Sequence, residues 1–398
     1  MRRLPLVILA ALLAPAAAVA QAASEETRPP NRAGQHPAFA GQTRAPKVTT
    51  ATRYQVETVA KGLVNPWSLA FLPDGRMLVT ERPGRLRIIG KAGVSPPVKG
   101  VPPVAHGAQL GLYGLALDPA FAKTRLVYLA YSAPERGGSA LSVARARLGE
   151  TGPAAQLEDL KVIFRAQPPV SGGANLGGRL VFAPDGTLFV TVGDGFQTKA
   201  KAQTLDNDLG KMVRINADGS IPKDNPFVGR AGARPEIWSY GERNGEAAAI
   251  NPWTHKLWVV EHGARGGDEI NIPEAGRNYG WPVITYGIDY SGALIGKGIT
   301  QAPGLEQPVY YWDPVIAPSG MTFYTGDLFP AWKGNLFVGG LAGERVSRLV
   351  LKGDRVVGEE WLFRELGERI RDVVQGPDGA LYLLTDAEQG RVLKVVPK

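Results

Sequence analysis

An apolar pair, a proline-containing turn and a short β-rich strand recur six times along this chain, and that repetition limits the fold more than any other feature. The phrase reads FLPDGRMLVTE from Phe71, LDPAFAKTRLVYLAYS from Leu117 and FAPDGTLFVTVGD from Phe182. It returns as INPWTHKLWVVEHG from Ile250, LFPAWKGNLFVGGLAG from Leu328 and QGPDGALYLLTD from Gln375. Pro-Asp-Gly suits a tight turn because Pro presets φ and Gly accepts positive φ. The strands that follow, such as Leu188-Phe189-Val190-Thr191-Val192, carry β-branched and aromatic residues at consecutive positions, as strands buried on both faces do. The prolines 73, 119, 184, 252, 330 and 377 stand 46 to 78 residues apart. That is too long for a solenoid turn and suits a four-stranded propeller blade with insertions. The expected fold is all-β, a six-bladed β-propeller of four-stranded antiparallel blades; a β-sandwich would leave the regular recurrence unexplained.

If each phrase is the same strand in its blade, the residues that follow it share one rim. Those ends are Glu81, Ser132, Asp194, Glu261-His262-Gly263, Leu341-Ala342-Gly343 and Asp386. Loops from every blade meet near the axis of a propeller, so a ligand site is expected at that end.

The flanks read differently. MRRLPLVILAALLAPAAAVA has a basic start, an apolar run and a small-residue cleavage site, which predicts a signal peptide over residues 1–20 and export to a periplasm. Residues 21–52, rich in Pro, Ala, Gly and Thr without an apolar period, predict a flexible tether, leaving 53–398 for the propeller. The chain has no cysteine and four histidines, which rules out thiolate chemistry and argues against a His-rich metal site. Its formal charge of +8 is dispersed, with no basic run or aromatic-interleaved stripe, so nucleic acid is not an expected partner. A mild positive field does favour an anionic ligand. No stretch after the leader is apolar enough to suggest stable membrane insertion.

Several segments carry chemistry. In EHGARGGDEINIPEAGRNYGWP (Glu261 to Pro282), clustered glycines free backbone carbonyls, and Asp268 and Glu269 offer hard oxygen donors of the kind Ca²⁺ takes. The same segment also reads as a polar loop between blades. In SYGERNGEAAAINP, Arg243 and Asn244 place a cation beside an amide, able to hold a carbonyl or a sugar hydroxyl, or to cap a turn. Arg369 and Arg371, two apart on a strand, share one face and suit a polycarboxylate, or a solvated edge. Gln109, in GAQLGLYGLALDP, sits among glycines before a buried strand, where it reaches a ligand or a turn.

Longer stretches fall in a recognisable order: NPWSLAFLPDGRMLVTERPGRLRII, GGRLVFAPDG, LGKMVRINADGSIPKDNPFVG, GGDEINIPEAGRNYGWPVITYG, QPVYYWDPVIAPSGM and RIRDVVQGPDGALYLLTD. From about Tyr54 to the C-terminus the chain resembles the soluble pyrroloquinoline-quinone (PQQ) dependent sugar dehydrogenases, the glucose/sorbosone dehydrogenase family, especially its bacterial aldose sugar dehydrogenases. The resemblance implies a six-bladed propeller, in agreement with the repeats. It implies that Gln109 contacts PQQ, that Arg369 and Arg371 pair with its carboxylates, and that Tyr290 and Gly343 belong to the same cofactor site. It implies one Ca²⁺ at the cofactor, held by the carbonyls of Gly263 and Ala264, and a second, structural Ca²⁺ at Glu269 and Tyr279. Arg243 and Asn244 would face PQQ and the sugar. The implied reaction oxidises an aldose at C1 to the lactone by hydride transfer to PQQ, with an unidentified electron acceptor, a quinone or a cytochrome.

The pattern breaks at one position. Where the family has a histidine that removes the anomeric hydroxyl proton, oriented by an aspartate, this chain keeps the aspartate as Asp194 but has Asn175. An amide hydrogen-bonds without taking a proton near neutrality, and general-base help is worth roughly 10²–10⁴-fold in rate. Other departures gather nearby: Glu242 where the family has His, Glu246 where it has Gln, and Ala264 for Pro. Glu242 or Glu246 is then a candidate replacement base, with His106 and His262 behind them. The alternative is a catalytically degenerate propeller that binds a sugar, a quinone or a partner protein. A calcium-dependent lactone hydrolase rests on fold analogy alone.

Overall fold

A computed structural model describes residues 23–150 and 154–398; the leader expected over 1–20 lies outside the described residues. Six four-stranded antiparallel sheets make up the fold. Their axial strands are Pro66–Phe71, Leu112–Leu117, Gly177–Phe182, Gly245–Ile250, Pro318–Phe323 and Ile370–Gln375, which define blades 1 to 6 in that order. Among the described residues the one α-helix is the four-residue Phe121–Thr124, and no helix is long and apolar enough to cross a membrane.

Each repeated phrase is the hairpin turn and second strand of a blade. The three Pro-Asp-Gly turns close identically. Gly75, Gly186 and Gly379 each donate N–H to the carbonyl three residues back, at 2.9, 3.0 and 3.0 Å, with φ of 84, 82 and 78°. The Asp of each turn accepts the N–H two residues on, for instance Arg76 N to Asp74 Oδ1 at 3.0 Å. These contacts are local, so the turn survives in three different blades. The strands that follow, Met77–Glu81, Leu188–Val192, Leu257–Glu261, Leu336–Gly340 and Leu381–Thr385, are buried at every position, because a neighbouring blade covers each face. Packing between blades supplies the core. Tyr113, Tyr128, Leu180 and Val190 join blade 2 to blade 3, and Leu78, Leu86, Leu115 and Leu129 join blade 1 to blade 2.

The ring closes by strand exchange. Tyr54–Leu63, from the start of the domain, pairs antiparallel with Gly390–Pro397 and becomes the outer strand of blade 6. Closure ties the start of the domain to its end, while each blade keeps a short outer edge, as propellers do.

Residues 24–52, expected as a flexible tether, run instead as a strap along the outer strands of blades 4 and 5. Gln42 is fully buried; its Nε2 donates to the Pro308 carbonyl at 2.8 Å and its Oε1 accepts from Tyr286 Oη at 3.0 Å. Ala45 N donates to Tyr310 Oη at 3.0 Å, and Val48 N to the Glu359 carbonyl at 3.0 Å. The tether reading failed because this segment is held by hydrogen bonds rather than by an apolar period.

Beneath the axial site the blades are pinned by one cation. Arg179 of blade 3 lies 4.3 Å above the Trp67 ring of blade 1 and donates to Asp372 of blade 6 at 3.2 Å. It also donates to the Glu246 carbonyl of blade 4 at 3.0 Å. Trp67 also lines the cleft described next.

Candidate active site

A cleft of about 240 Å³ opens at the rim where the second strands end and the axial strands begin. Trp67, Tyr113, Leu176 and Leu341 give it apolar walls, while Arg82, Gln109, Glu246, His262, Arg369, Arg371 and Asp386 give it polar ones. Gln109, Arg369 and Arg371, separated by about 260 residues of sequence, therefore meet in one space, as do Glu246 and His262.

The cations are tied to carboxylates. Arg371 is buried; its Nη1 donates to Glu246 Oε2 at 2.9 Å and its Nη2 to Asp386 Oδ2 at 3.1 Å. Arg369, with a half-exposed side chain, donates Nη2 to the same Asp386 oxygen at 3.1 Å. Burial works against the charge of Asp386, but Arg371 and Arg369 outweigh it and hold the carboxyl below its usual range. Nε of Arg371 is buried without a partner.

Asn175 lies beside the cleft rather than in its wall. It is 4 % exposed with φ 55°, and its backbone N–H donates to Gln109 Oε1 at 2.9 Å. Its Nδ2 donates to Asp194 Oδ1 at 3.0 Å. Asp194 is fully buried and also accepts from Phe196 N at 2.8 Å and, on Oδ2, from Trp281 Nε1 at 2.8 Å. Its carboxylate is thus spent on fixed donors.

Arg243 and Asn244 enter from the loop before the axial strand of blade 4. Arg243 lies 5.2 Å from the Trp281 ring centroid, donates to the His262 carbonyl at 2.9 Å and to Tyr290 Oη at 3.5 Å. Asn244 accepts from Gly177 N at 2.9 Å and donates to Glu246 Oε1 at 3.0 Å. Tyr290 is 58 % exposed and stacks on the exposed Phe196, with centroids 6.1 Å apart and planes at 28°. Gly343 stands off the wall that Leu341 provides: its N–H donates to the Ile316 carbonyl at 3.2 Å and its carbonyl accepts from Arg345.

A second cluster lies behind Arg243. Glu242 is buried away from the cleft wall, accepting from Ser239 Oγ at 2.8 Å on Oε1 and leaving Oε2 without a partner. Glu261 accepts from the backbone N–H of Arg243 and Asn244 at 2.5 and 3.2 Å and from Asn271 Nδ2 at 2.7 Å. Glu269 sits opposite Glu261 across the strand pair. Burial and then the Glu261 charge push both Glu242 and Glu269 well above the ordinary carboxyl range, and burial raises Glu261. Among the described residues no three His, Cys, Asp or Glu side chains converge as a metal cage. A cation here would draw on backbone carbonyls and amide oxygens as well, and the Asn271 Oδ1 is buried without a partner. The Tyr279 hydroxyl is committed, donating to the Ile272 carbonyl at 2.5 Å and accepting from Glu274 N at 3.0 Å. Its backbone carbonyl is what it has to offer.

Gly263 and Ala264 form a tight loop above this cluster, with Gly266 and Gly267 at φ 92 and 74°. A Cβ on Gly263 would collide with the carbonyls of Gly266 and Gly267. Asp268, read as a cation donor, instead accepts from the N–H of Gly263, Ile316 and Ala317 at 2.8 to 2.9 Å and staples blade 4 to blade 5. His106 is exposed on the loop before Gln109. Nε2 of His262 is 2.6 Å from the Pro318 carbonyl.

A closed six-bladed propeller with an arginine-lined axial cleft defines the class. The model of the glucose/sorbosone dehydrogenase family matches residues 63–394, and the chain belongs to that family. It is 48 % identical over 350 residues to aldose sugar dehydrogenase YliI of Escherichia coli (strain K12), covering 86 % of this chain and 93 % of that protein. The apo-form crystal structure of the soluble aldose sugar dehydrogenase from Escherichia coli superposes with a TM-score of 0.84 at 45 % identity, covering 87 % of this chain and 100 % of that one. The PQQ-bound aldose sugar dehydrogenase from Streptomyces coelicolor superposes with a TM-score of 0.72 at 28 % identity, covering 87 % and 100 %.

Proposed function

We propose that this protein is an exported, PQQ- and Ca²⁺-dependent aldose dehydrogenase, acting in a periplasm and passing electrons to a quinone or cytochrome. The observation that carries the reading is the meeting of Gln109, Arg369 and Arg371 in one cleft with apolar aromatic walls. Forked cations, an amide and flat apolar surfaces are what a planar aromatic polycarboxylate needs. When bound, PQQ supplies the quinone that takes hydride from C1 of the aldose and leaves the lactone.

The chain's own residues bind, orient and exclude. Arg369 and Arg371 would hold the carboxylates, and Trp67 and Tyr113 would keep water from the ring. The exposed Phe196–Tyr290 pair, with Arg243 beside it, offers a platform for a pyranose. A second divalent cation would be held at Glu269 with the backbone carbonyl of Tyr279, and the unpartnered Asn271 Oδ1 nearby is a further hard oxygen for it. The carbonyls of Gly263 and Ala264 remain the proposed donors to the cofactor's own Ca²⁺.

Asn175 cannot take the hydroxyl proton, and its contribution is to hold Asp194 and Gln109 in place. That observation also favours a second reading, a propeller that binds quinone and sugar without turning them over. Dye reduction by glucose and other aldoses, measured on protein reconstituted with PQQ and Ca²⁺, tests the choice. Turnover above a protein-free control supports the enzyme; PQQ binding without turnover supports the binder.

A further inference from the structure

The pair between Glu246 and Arg371 is the most consequential contact in the cleft that the proposed activity does not use. Glu246 stands at the top of the axial strand of blade 4 and Arg371 at the top of that of blade 6, so the contact crosses the central axis. Their side chains are 13 % and 9 % exposed, and the ion pair is 2.9 Å long. Glu246 does not swing freely. Asn244 Nδ2 holds its other oxygen at 3.0 Å, and Arg179 holds its carbonyl at 3.0 Å. A carboxylate is therefore fixed, from within the chain, on a guanidinium that lines the cleft.

We propose that Glu246 is an internal competitor for the anionic cofactor, occupying Arg371 in place of a ligand carboxylate and setting how tightly the cleft binds a polycarboxylate quinone. The inference rests on the PQQ reading above and concerns a different quantity, affinity rather than turnover. A ligand carboxylate that reaches Arg371 breaks the pair and leaves Glu246 Oε2 uncompensated in a mostly buried place, where a lone charge is costly. Asn244 keeps the displaced carboxylate near the ligand, so like charges then face each other. Asp386 does not play the same part, because its oxygen is shared between Arg369 and Arg371 and steadies both. The cleft wall carries Arg82, Arg369 and Arg371 against Glu246 and Asp386, so removing one carboxylate doubles its excess of positive charge from one to two.

The test is equilibrium binding of PQQ at fixed Ca²⁺ to the wild-type protein, to Glu246→Gln and to Glu246→Asp, with thermal unfolding of each in the absence of ligand. Glu246→Gln keeps the shape and the contact to Asn244 while removing the charge. It is expected to bind PQQ about tenfold tighter, a change worth ~1.4 kcal/mol, while its ligand-free Tm falls because Arg371 loses a partner. Glu246→Asp draws the carboxylate back by one methylene and is expected to gain less. The uncharged PQQ trimethyl ester should show no gain in either variant. Tighter binding with lower ligand-free stability is the signature of competition; a merely structural residue would lower both. Wild-type binding that Glu246→Gln and Glu246→Asp leave equal or weaken would overturn the inference and leave the PQQ reading standing. Absence of binding to all three proteins would overturn both.

Discussion

The Asn175 amide donates to the Asp194 carboxylate at 3.0 Å, in a place where both side chains are buried. The other donors to Asp194, Phe196 N and Trp281 Nε1, lie at 2.8 Å. The aspartate thus holds its neighbour in a fixed orientation, but the neighbour is an amide, which cannot accept a proton near neutrality.

Restoring the base follows directly. Asn175 adopts φ 55°, a left-handed conformation that His also tolerates better than most residues, so Asn175→His is expected to keep the backbone. Dye-linked aldose oxidation by the PQQ-loaded variant should rise by roughly 10²-fold or more, within the usual worth of general-base catalysis. An unchanged rate would show that the proton leaves by a route independent of position 175.

The carboxylate cluster predicts a pH-dependent response to cation. Glu242 and Glu269 titrate higher in the folded chain than unfolded, because burial and the Glu261 charge favour their neutral forms. A raised folded pKa contributes stability at pH values below the unfolded carboxyl pKa and loses it as pH rises through the folded pKa. The cation-free protein should therefore lose Tm on going from mildly acidic to alkaline pH, apart from other titrations. Ca²⁺ should raise Tm more at pH 8 than at pH 5. Scanning calorimetry with chelator or Ca²⁺ at both values checks this; a Tm indifferent to Ca²⁺ at pH 8 would count against a cation in the cluster.

The exposed rings of Phe196 and Tyr290 have no structural duty that explains their exposure of 44 % and 58 %. Replacing Phe196 by Ala should raise KM for the aldose several-fold and leave PQQ affinity nearly unchanged, Tyr290→Ala should raise KM and weaken PQQ as well, and both should cost little stability, as exposed positions do. Steady-state kinetics at saturating PQQ, alongside a PQQ titration, separate these effects. An unaltered KM in both variants would place the sugar elsewhere.

What was legible in the sequence was what is local. The Pro-Asp-Gly turn and the buried strand after it are closed by contacts within a few residues, so six blades could be counted from the chain. The rim was legible too, since Asp194, Glu261 and Asp386 end equivalent strands. Their use was not: Asp194 is spent on Trp281, 87 residues away, and Glu261 on the loop N–H groups of Arg243 and Asn244. Trp67 and Tyr113 were missed as cleft walls because an aromatic at the head of an apolar strand reads as core. The strap at 24–52 was missed because Gln42, its most deeply held side chain, is polar. Glu246 was noticed as an oddity, but its partner Arg371 lies 125 residues on, and only the ring closure brings them together.

The most direct measurement is a calorimetric titration of PQQ into the wild-type protein and Arg371→Met in the presence of Ca²⁺. Saturable one-to-one binding to the wild type, weakened at least tenfold in the variant, is the expected result. No binding to the wild type, or equal binding to both, would contradict a cleft in which Arg371 receives an anionic quinone.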